Sequence, residues 1–470
     1  MAKSSKKSNN KRPKSSKTDE NNGIDRISDL PEPLIHHILS FLQTVDVVRV
    51  SVLSRRWRYL WNSIPCLDFD YTLFSTGPMT YFFQFRFGEK FTDFVNRVLS
   101  AREECDIQRL HLSCFNHCNS WVDRWICDAV GRNVQELDLS FCPDDSFELP
   151  HCLQTTKLLT VLKLNLCYRV LRMPTSMGFS RLTSLHFVSL KFLNDDSARE
   201  FFRSCPLLEN LIMERCVFKN LKVLDITATN LKNLTIKNVE VDSISDDGLC
   251  ETELKIFAPN LVSFNYMGPV AQSYLLKNIS SIASVFIQLV PGPKKASMEE
   301  LGYLVCEFIK ACYSTKVLKL SVTFLEYLFP ILGKPECFSA PFYNLKSLKL
   351  FAGIGKLHLQ VIVYLLEYFP NLEALAIDFK ETSKWNDYWQ PQDGVLTCLM
   401  YHLKTVEIDN VKGQENELGL ISFLLKFGQV LETMTITWST DLEKPVEIIH
   451  KALMLLMLPK ASSKVTITFP

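Results

Sequence analysis

The chain has 470 residues, of which 47% are hydrophobic and 22% charged, so it is long and apolar enough to bury sizeable cores. The formal net charge of +1 hides an uneven distribution, because residues 1–17 carry seven basic side chains and no acidic one. The rest of the chain is therefore mildly acidic, which gives no general reason to bind nucleic acid. Because no run of about eighteen apolar residues occurs, we also expect no membrane span.

The first 23 residues are rich in Lys, Ser and Asn and almost free of apolar side chains. We expect residues 1–23 to be a disordered basic tail, because they can bury too little apolar surface to fold. They also lack the apolar core of a secretory signal. Two short basic clusters, Lys6-Lys7 and Lys11-Arg12-Pro13-Lys14, resemble nuclear import signals. We therefore expect an intracellular protein, in the nucleus or the cytoplasm.

Residues 25–61 predict an apolar helical hairpin. Pro31 and Pro33 suit only the first turn of a helix, so a helix begins there. The apolar side chains that follow at helical spacing and beside it are Leu34, Ile35, Ile38, Leu39, Phe41 and Leu42. Thr44 can cap a second helix, whose valines make it apolar almost all round. Some forty residues cannot bury this much apolar surface alone, so the hairpin is suited to be covered by another protein.

As a whole, residues 24–64 resemble the F-box in the form common in plant proteins. The resemblance rests on Leu30-Pro31, Leu34, Ile38, Leu42, Val48, Val52, Ser54-Arg55-Arg56-Trp57 and Trp61. It implies docking on the Skp-type adaptor of a cullin ubiquitin ligase, and through it on the cullin and RING subunits. The implied adaptor-binding residues are Leu30, Pro31, Leu34, Ile38, Leu42, Val48, Val52 and Trp57. The alternative is that the hairpin only caps the following domain.

Across residues 65–383 one short pattern recurs: an aliphatic residue, two variable ones, an aliphatic, one variable, an aliphatic. Ile107-Leu110-Leu112 and Leu372-Leu375-Ile377 are examples, and most copies lie 23 to 33 residues apart. This period is typical of leucine-rich repeats. Helical patterns over residues 197–204, 298–311 and 358–368 lie between predicted strands. The expected fold is therefore α/β: a leucine-rich-repeat solenoid, with a curved parallel sheet and helices on its convex side, preceded by a small all-helical F-box.

The variable residue between the two close aliphatics should face the concave surface, because alternate strand residues point to opposite sides. These positions are His111, Asp138, Lys163, His186, Ile212, Asp225, Thr235, Asn265, Phe286, Lys319, Lys349, Ala376, Glu407 and Thr435. Basic groups in this series are scattered and acids intervene, so we expect no bound polyphosphate or other cofactor. Ile212, Asn265 and Phe286 in the middle units are the predicted substrate-binding anchors.

Residues 384–470 resemble the FBD region found at the end of many plant F-box proteins. The resemblance rests on Trp385, Trp389-Gln390-Pro391, Cys398-Leu399, His402 to Ile408, Gly413, Glu417 to Leu425 and Val430 to Ile436. Because the repeat pattern continues there, we interpret this region as the capping end of the solenoid, with Trp385 and Trp389 sealing an exposed edge. A separate peptide-binding module is the alternative.

Little in the sequence indicates catalysis. There is no glycine-rich phosphate loop, no Gly-x-Ser-x-Gly and no His-Glu-x-x-His, so we do not expect an enzyme. Fifteen cysteines without a secretory signal indicate reduced thiols, and Cys142, Cys167 and Cys216 fall at a repeat position that is usually buried. The group His111, Cys114, His117 and Cys118 has zinc-type ligands but not the spacing of a familiar zinc module, and we predict no metal site.

Three classes of function remain to be weighed. The F-box resemblance favours a substrate-recognition subunit of a Skp-cullin-F-box ubiquitin ligase, whose repeats bind a protein target that cannot be named from the sequence. The alternative is a leucine-rich-repeat scaffold that acts outside a ubiquitin ligase. Nucleic-acid binding is disfavoured because the hairpin is too apolar for a recognition helix.

Overall fold

The computed structural model describes residues 30–52, 56–74, 81–102, 105–114, 119–172, 178–239, 248–292, 296–334, 337–338, 340–380, 389, 396–440 and 445–470. The basic tail with Lys6, Lys7, Lys11, Arg12 and Lys14 lies outside these residues, as do Trp385, His117 and Cys118. No helix in the described part of the chain is long and apolar enough to cross a membrane.

The helices are α1 Glu32–Leu39, α2 Thr44–Val50, α3 Tyr81–Ala101, α4 Asn119–Val130, α5 Cys152–Thr155, α6 Asp195–Arg203, α7 Met298–Ala311, α8 Val322–Leu328, α9 Lys356–Tyr368, α10 Thr397–Tyr401, α11 Glu415–Phe427 and α12 Pro445–Leu456. The helices after α1 and α2 lie in the segments that connect the strands. The helical patterns predicted over residues 197–204, 298–311 and 358–368 correspond to α6, α7 and α9.

The strands are short, mostly of five or six residues. They are β1 Cys66–Asp70, β2 Arg109–Cys114, β3 Glu136–Phe141, β4 Ser146–Glu148, β5 Val161–Arg172, β6 Ser184–Phe192, β7 Asn210–Glu214, β8 Val223–Thr227, β9 Asn233–Lys237, β10 Glu253–Phe257, β11 Ser263–Gly268, β12 Ser273–Lys277, β13 Ser284–Leu289, β14 Val317–Leu320, β15 Ser347–Ala352, β16 Ala374–Phe379, β17 Thr405–Val411, β18 Thr433–Trp438 and β19 Thr466–Thr468.

Sixteen of these strands form one parallel sheet that runs from the hairpin to the end of the chain. Its order is β1-β2-β3-β5-β6-β7-β9-β11-β13-β14-β15-β16-β17-β18-β19, with β4 paired to β5. Along most strands buried and half-buried residues alternate, so one face of the sheet carries the aliphatic ladder. The leucine-rich-repeat solenoid predicted from the repeat pattern is confirmed.

A second sheet, with the order β12-β10-β8, lies in the middle repeats, across the hydrophobic core from the large sheet. Its three strands lie in the connections between β7 and β9, β9 and β11, and β11 and β13, where other repeats carry helices. The prediction that residues 221–226 add a strand to the main sheet, with Asp225 on the concave surface, is therefore wrong. Asp225 is buried and bonded to Lys255 and Thr227. Its segment has the aliphatic spacing of a repeat strand but packs on the opposite side.

The turns between units are joined by asparagine side chains. The Nδ2 of Asn230 donates to Pro206 O at 2.8 Å, that of Asn260 to Thr229 O at 2.9 Å, and that of Asn371 to Tyr343 O at 2.9 Å. In each case the amide connects the turn to a carbonyl of the preceding unit. Successive units are thereby held at a fixed spacing.

One continuous hydrophobic core runs from the hairpin to the last helix, from Ile35 to Leu455. The hairpin joins it directly, because α2 packs against β1. The hydroxyl of Thr44 accepts a hydrogen bond from Asp68 N at 2.8 Å, so Thr44 anchors the hairpin to the sheet instead of capping α2 as expected from the sequence. The hairpin is therefore the first layer of the solenoid.

Candidate functional site

The two helices of the hairpin have one face in the core and one face in solvent. Ile35 and Leu39 of α1 are fully buried, whereas Leu34 and Ile38 are 50% and 43% exposed. Helical spacing explains the division, since residues three or four apart share a face and adjacent residues do not. The hairpin thus presents an apolar surface that its own domain leaves uncovered.

This exposed surface, called here the hairpin patch, consists of Leu34, Ile38, Phe41, Leu42 and Val52. Phe41, Leu42 and Val52 are 76%, 39% and 85% exposed. Large exposed apolar side chains at five positions of one short helical hairpin are typical of a protein interaction site. Phe41 was not among the predicted adaptor contacts; it lies two residues beyond the end of α1, and its ring packs edge-on against that of His37, with the ring centres 5.0 Å apart.

The remaining predicted adaptor contacts have other surroundings. Trp57 is only 8% exposed and belongs to the hydrophobic core, and its role in adaptor binding stays a prediction. Val48 and Leu30 are half-buried and pack against that core, and the carbonyl of Leu30 accepts a hydrogen bond from Arg56 at 2.7 Å. Pro31 is exposed at the start of α1. The patterns of the sequence indicate that these residues are apolar, but not which side of the hairpin each one faces.

The second candidate site is the open face of the large sheet, the face opposite the core. Its middle row joins in register the following residues: Asp68, His111, Asp138, Lys163, His186, Ile212, Thr235, Asn265, Phe286, Lys319, Lys349, Ala376, Glu407, Thr435 and Thr468. Apart from Asp225, the predicted concave positions therefore lie in a single row. Ile212, Asn265 and Phe286 lie close together in it, although their role in binding a substrate stays a prediction.

At the start of this row the charged side chains neutralise one another. His111 Nδ1 lies 3.2 Å from Asp138 Oδ2, and Lys163 Nζ lies 3.4 Å from the same oxygen. The hydrogen bond with Asp138 raises the pKa of His111. Burial alone would raise the pKa of Asp138, but its contacts with His111 and Lys163 outweigh that effect and lower it. This end of the open face therefore carries its own counter-charges.

Three models of known protein families match successive parts of the chain. An F-box domain model matches residues 27–69, a leucine-rich-repeat domain model described as "At1g61320/AtMIF1, LRR domain" matches residues 98–392, and an FBD model matches residues 390–436. The repeat model alone covers more than half of the chain. The chain belongs to the F-box/FBD/LRR-repeat family.

Relatives of this family protein are similar over nearly their whole length. An F-box/FBD/LRR-repeat protein of Arabidopsis thaliana is 28% identical over 439 residues, which cover 89% of this chain and 94% of that relative. A second one from the same plant is 29% identical, over 87% and 89% of the two chains. The F-box/LRR-repeat protein 13 of Arabidopsis thaliana is 26% identical over 94% and 96%. The similarity to these relatives thus extends over most of each chain.

In this F-box/FBD/LRR-repeat protein the terminal region continues the solenoid, with β17, β18 and β19 at the end of the large sheet. Trp389 is buried on the helical side: its backbone N–H donates to Asn416 Oδ1 at 2.9 Å, and its ring lies 6.1 Å from that of Phe423. The prediction that Trp389 seals an exposed sheet edge is therefore wrong. Asn416 of α11 accepts the hydrogen bond from Trp389 and donates one to Ile354 O. The start of α11 is thereby connected both to Trp389 and to the segment before α9.

Two of the four candidate metal ligands, His111 and Cys114, lie within the described residues, and they do not come together there. His111 and Cys114 lie on opposite faces of β2, and no group of three His, Cys, Asp or Glu side chains there could hold a metal ion. Cys216 is fully buried as predicted, but Cys142 and Cys167 are only half-buried. The backbone of Cys167 is left-handed, with φ 48°, at an irregularity in the pairing of β5 with β6, which turns this residue away from the ladder.

Proposed function

We propose that this F-box/FBD/LRR-repeat protein is the substrate-recognition subunit of a Skp-cullin-F-box ubiquitin ligase. The hairpin patch docks on the Skp-type adaptor, and the adaptor connects the chain to the cullin and RING subunits. The open face of the solenoid binds the protein to be ubiquitinated. No catalytic step is assigned to this chain, since its part is to bring a target to the ligase.

The observation that carries the proposal is the hairpin patch. Five large apolar side chains are exposed within nineteen residues, while the opposite face of the same helices is buried. Fully burying one Leu or Ile contributes roughly 1.5–3 kcal/mol, so docking on an apolar partner is strongly favourable. The match of residues 27–69 to the F-box model supports a Skp-type adaptor as that partner.

The test is affinity purification of the full chain from plant cells in which the proteasome is blocked. We expect the wild-type chain to retain an adaptor, a cullin and at least one further protein as target. The variant with Leu34→Ala and Ile38→Ala should lose the first two and keep the target, because its open face is unchanged. A wild-type chain that retains partners but no ligase subunit would support the alternative, a scaffold that acts outside the ligase.

A nuclear site of action is a separate proposal, and the basic clusters of the tail support it. Replacing Lys6, Lys7, Lys11, Arg12 and Lys14 with Gln should shift a fluorescent fusion from the nucleus to the cytoplasm. Unchanged distribution of the fusion would contradict a role of these clusters in import.

A further inference from the structure

Two neighbouring strands of the open face bring lysines side by side. Lys319 of β14 and Lys349 of β15 are partners in the register of the sheet, so their Cα atoms are separated by one strand spacing of about 4.8 Å. Like charges directly opposite each other destabilise a pair of strands. Within the described part of the chain, no carboxylate forms an ion pair with either ammonium group. The two lysines therefore remain positively charged without a counter-charge.

The same row behaves differently near the hairpin. There Asp138 lies between His111 and Lys163 and contacts both, at 3.2 Å and 3.4 Å. In the sequence the basic groups of the row are scattered and acids intervene, but Lys319 and Lys349 are direct neighbours in the register with no acid between them. The unneutralised pair is thus a local feature and does not extend over the whole face.

Aromatic rings lie beside these lysines. Phe351 follows two residues after Lys349 on the same face of β15, and the Nζ atoms of Lys349 and Lys380 each lie 5.6 Å from the centre of its ring. The ring of Phe286 lies 6.1 Å from that of Phe351. Lys380 also contacts Asp378 at 2.8 Å, so its charge is partly neutralised. Lysine ammonium groups therefore lie around the two half-buried phenylalanine rings.

We propose that this lysine–phenylalanine patch, formed by Phe286, Lys319, Lys349, Phe351 and Lys380, binds an extended acidic segment of a target protein. The proposal rests on the proposed function, because it names the chemistry of what the solenoid holds. Carboxylates at the patch offset the repulsion between Lys319 and Lys349 and form charge-assisted hydrogen bonds with them. An apolar side chain of the segment covers Phe286 and Phe351.

The dimensions of the patch suit an extended segment. Its lysines lie on β14, on β15 and directly after β16, so they span two strand spacings, about 10 Å, and alternate side chains of an extended chain are roughly 6.6 Å apart on one side. Two acidic residues separated by one other residue can therefore reach Lys319 and Lys349 together with Lys380. A compact polyphosphate suits it less, because Asp378 and Glu407 lie on the adjoining strands and repel a dense negative charge.

The test measures binding of a fluorescein-labelled ten-residue peptide, in which Glu alternates with Ser and one central Leu is present, to the full chain. We expect saturable binding in fluorescence anisotropy that weakens with added salt. The variant with Lys319→Gln and Lys349→Gln should bind the peptide at least tenfold more weakly. A peptide with Gln in place of Glu should show no saturable binding.

The matched control is Lys232→Gln with Lys346→Gln, which removes the same charge from exposed lysines that pair with Glu209 and Glu373. Its peptide affinity should stay within about twofold of wild type. An equal loss in both variants would mean that only the overall charge attracts the peptide, which overturns the proposal. Displacement of the peptide by inositol hexakisphosphate, saturating at one site that needs Lys319 and Lys349, would overturn it in favour of a small polyanion.

Failure of this proposal is distinguishable from failure of the proposed function. The variant with Lys319→Gln and Lys349→Gln should keep its affinity for the adaptor, and the variant with Leu34→Ala and Ile38→Ala should keep its affinity for the acidic peptide. Peptide binding without adaptor binding contradicts the ligase assignment alone. Adaptor binding without peptide binding contradicts the acidic-segment assignment alone.

Discussion

The hairpin and the open face of the solenoid are both exposed, but their surfaces differ in chemistry. The hairpin patch is made of Leu, Ile, Phe and Val side chains, whereas the open face alternates charged, polar and aromatic residues in rows. An apolar surface binds by burial, which salt hardly weakens, and a charged surface binds by pairing, which salt screens. The chain therefore presents two exposed surfaces of different chemistry, and binding at each of them can be measured separately.

Within the hairpin, the largest effect is expected from the buried face. Ile35→Ala leaves a cavity in the shared core and should lower the free energy of unfolding of the hairpin by about 2–5 kcal/mol. Leu34→Ala, one residue earlier, should change it by less than about 0.5 kcal/mol, because half of that side chain is in solvent. Amide hydrogen exchange of α1 and α2 measures both. Equal losses of protection would contradict the assignment of the two faces.

Two histidines of the open face should respond to pH in opposite directions. Because Asp138 raises the pKa of His111, the stabilisation that His111 supplies is full below the ordinary pKa of about 6.5 and is lost as pH rises through the raised value. Burial lowers the pKa of His186, so protonating it at low pH destabilises the fold. Both effects should be at most about 1 kcal/mol, since the two side chains are partly exposed.

Melting temperatures at pH 5.5 and pH 8.5 check this prediction. Relative to wild type, His111→Gln should destabilise more at pH 5.5 than at pH 8.5. His186→Gln should do the reverse and become relatively more stable at pH 5.5. The same pH dependence in both variants would mean that Asp138 and burial do not shift the pKa values of His111 and His186 in opposite directions.

The smallest effect concerns the lysine–phenylalanine patch itself. Lys319→Glu places opposite charges in register with Lys349 and should stabilise the protein by about 0.2–1 kcal/mol. Lys163→Glu, in the neutralised part of the row, places a carboxylate next to Asp138 and should destabilise by a similar amount. Urea unfolding of the two variants tests the difference. A loss of stability in Lys319→Glu would show that the two lysines do not repel each other measurably.

Much of the fold could be predicted because each repeat strand carries its aliphatic residues at the same spacing. That spacing indicates a strand but not the sheet that it joins, and Leu221, Leu224 and Ile226 follow it although β8 lies in the smaller sheet. Sheet membership depends on contacts between distant parts of the chain. The neighbours of a residue on the open face therefore had to come from the structure.

The same limit applies to the candidate sites. Apolar spacing identified the hairpin patch, yet the burial of Trp57 depends on how the hairpin meets β1, which helical periodicity does not encode. The lysine–phenylalanine patch joins Lys319 and Lys349, thirty residues apart in the chain, with Phe351 and Lys380. The register of the sheet brings these residues together. The composition and spacing of the sequence therefore show the residues of the site but not their contacts.

The central claim is that the hairpin patch docks the chain on a Skp-type adaptor, and the affinity of the purified adaptor for three full-length chains tests it most directly. Leu34→Ala with Ile38→Ala should weaken binding at least about a hundredfold by calorimetry, with little dependence on salt. The matched control, Leu193→Ala with Leu207→Ala, removes two equally exposed side chains of the solenoid and should bind like wild type. Equal adaptor affinity for wild type and the folded hairpin variant would contradict the account.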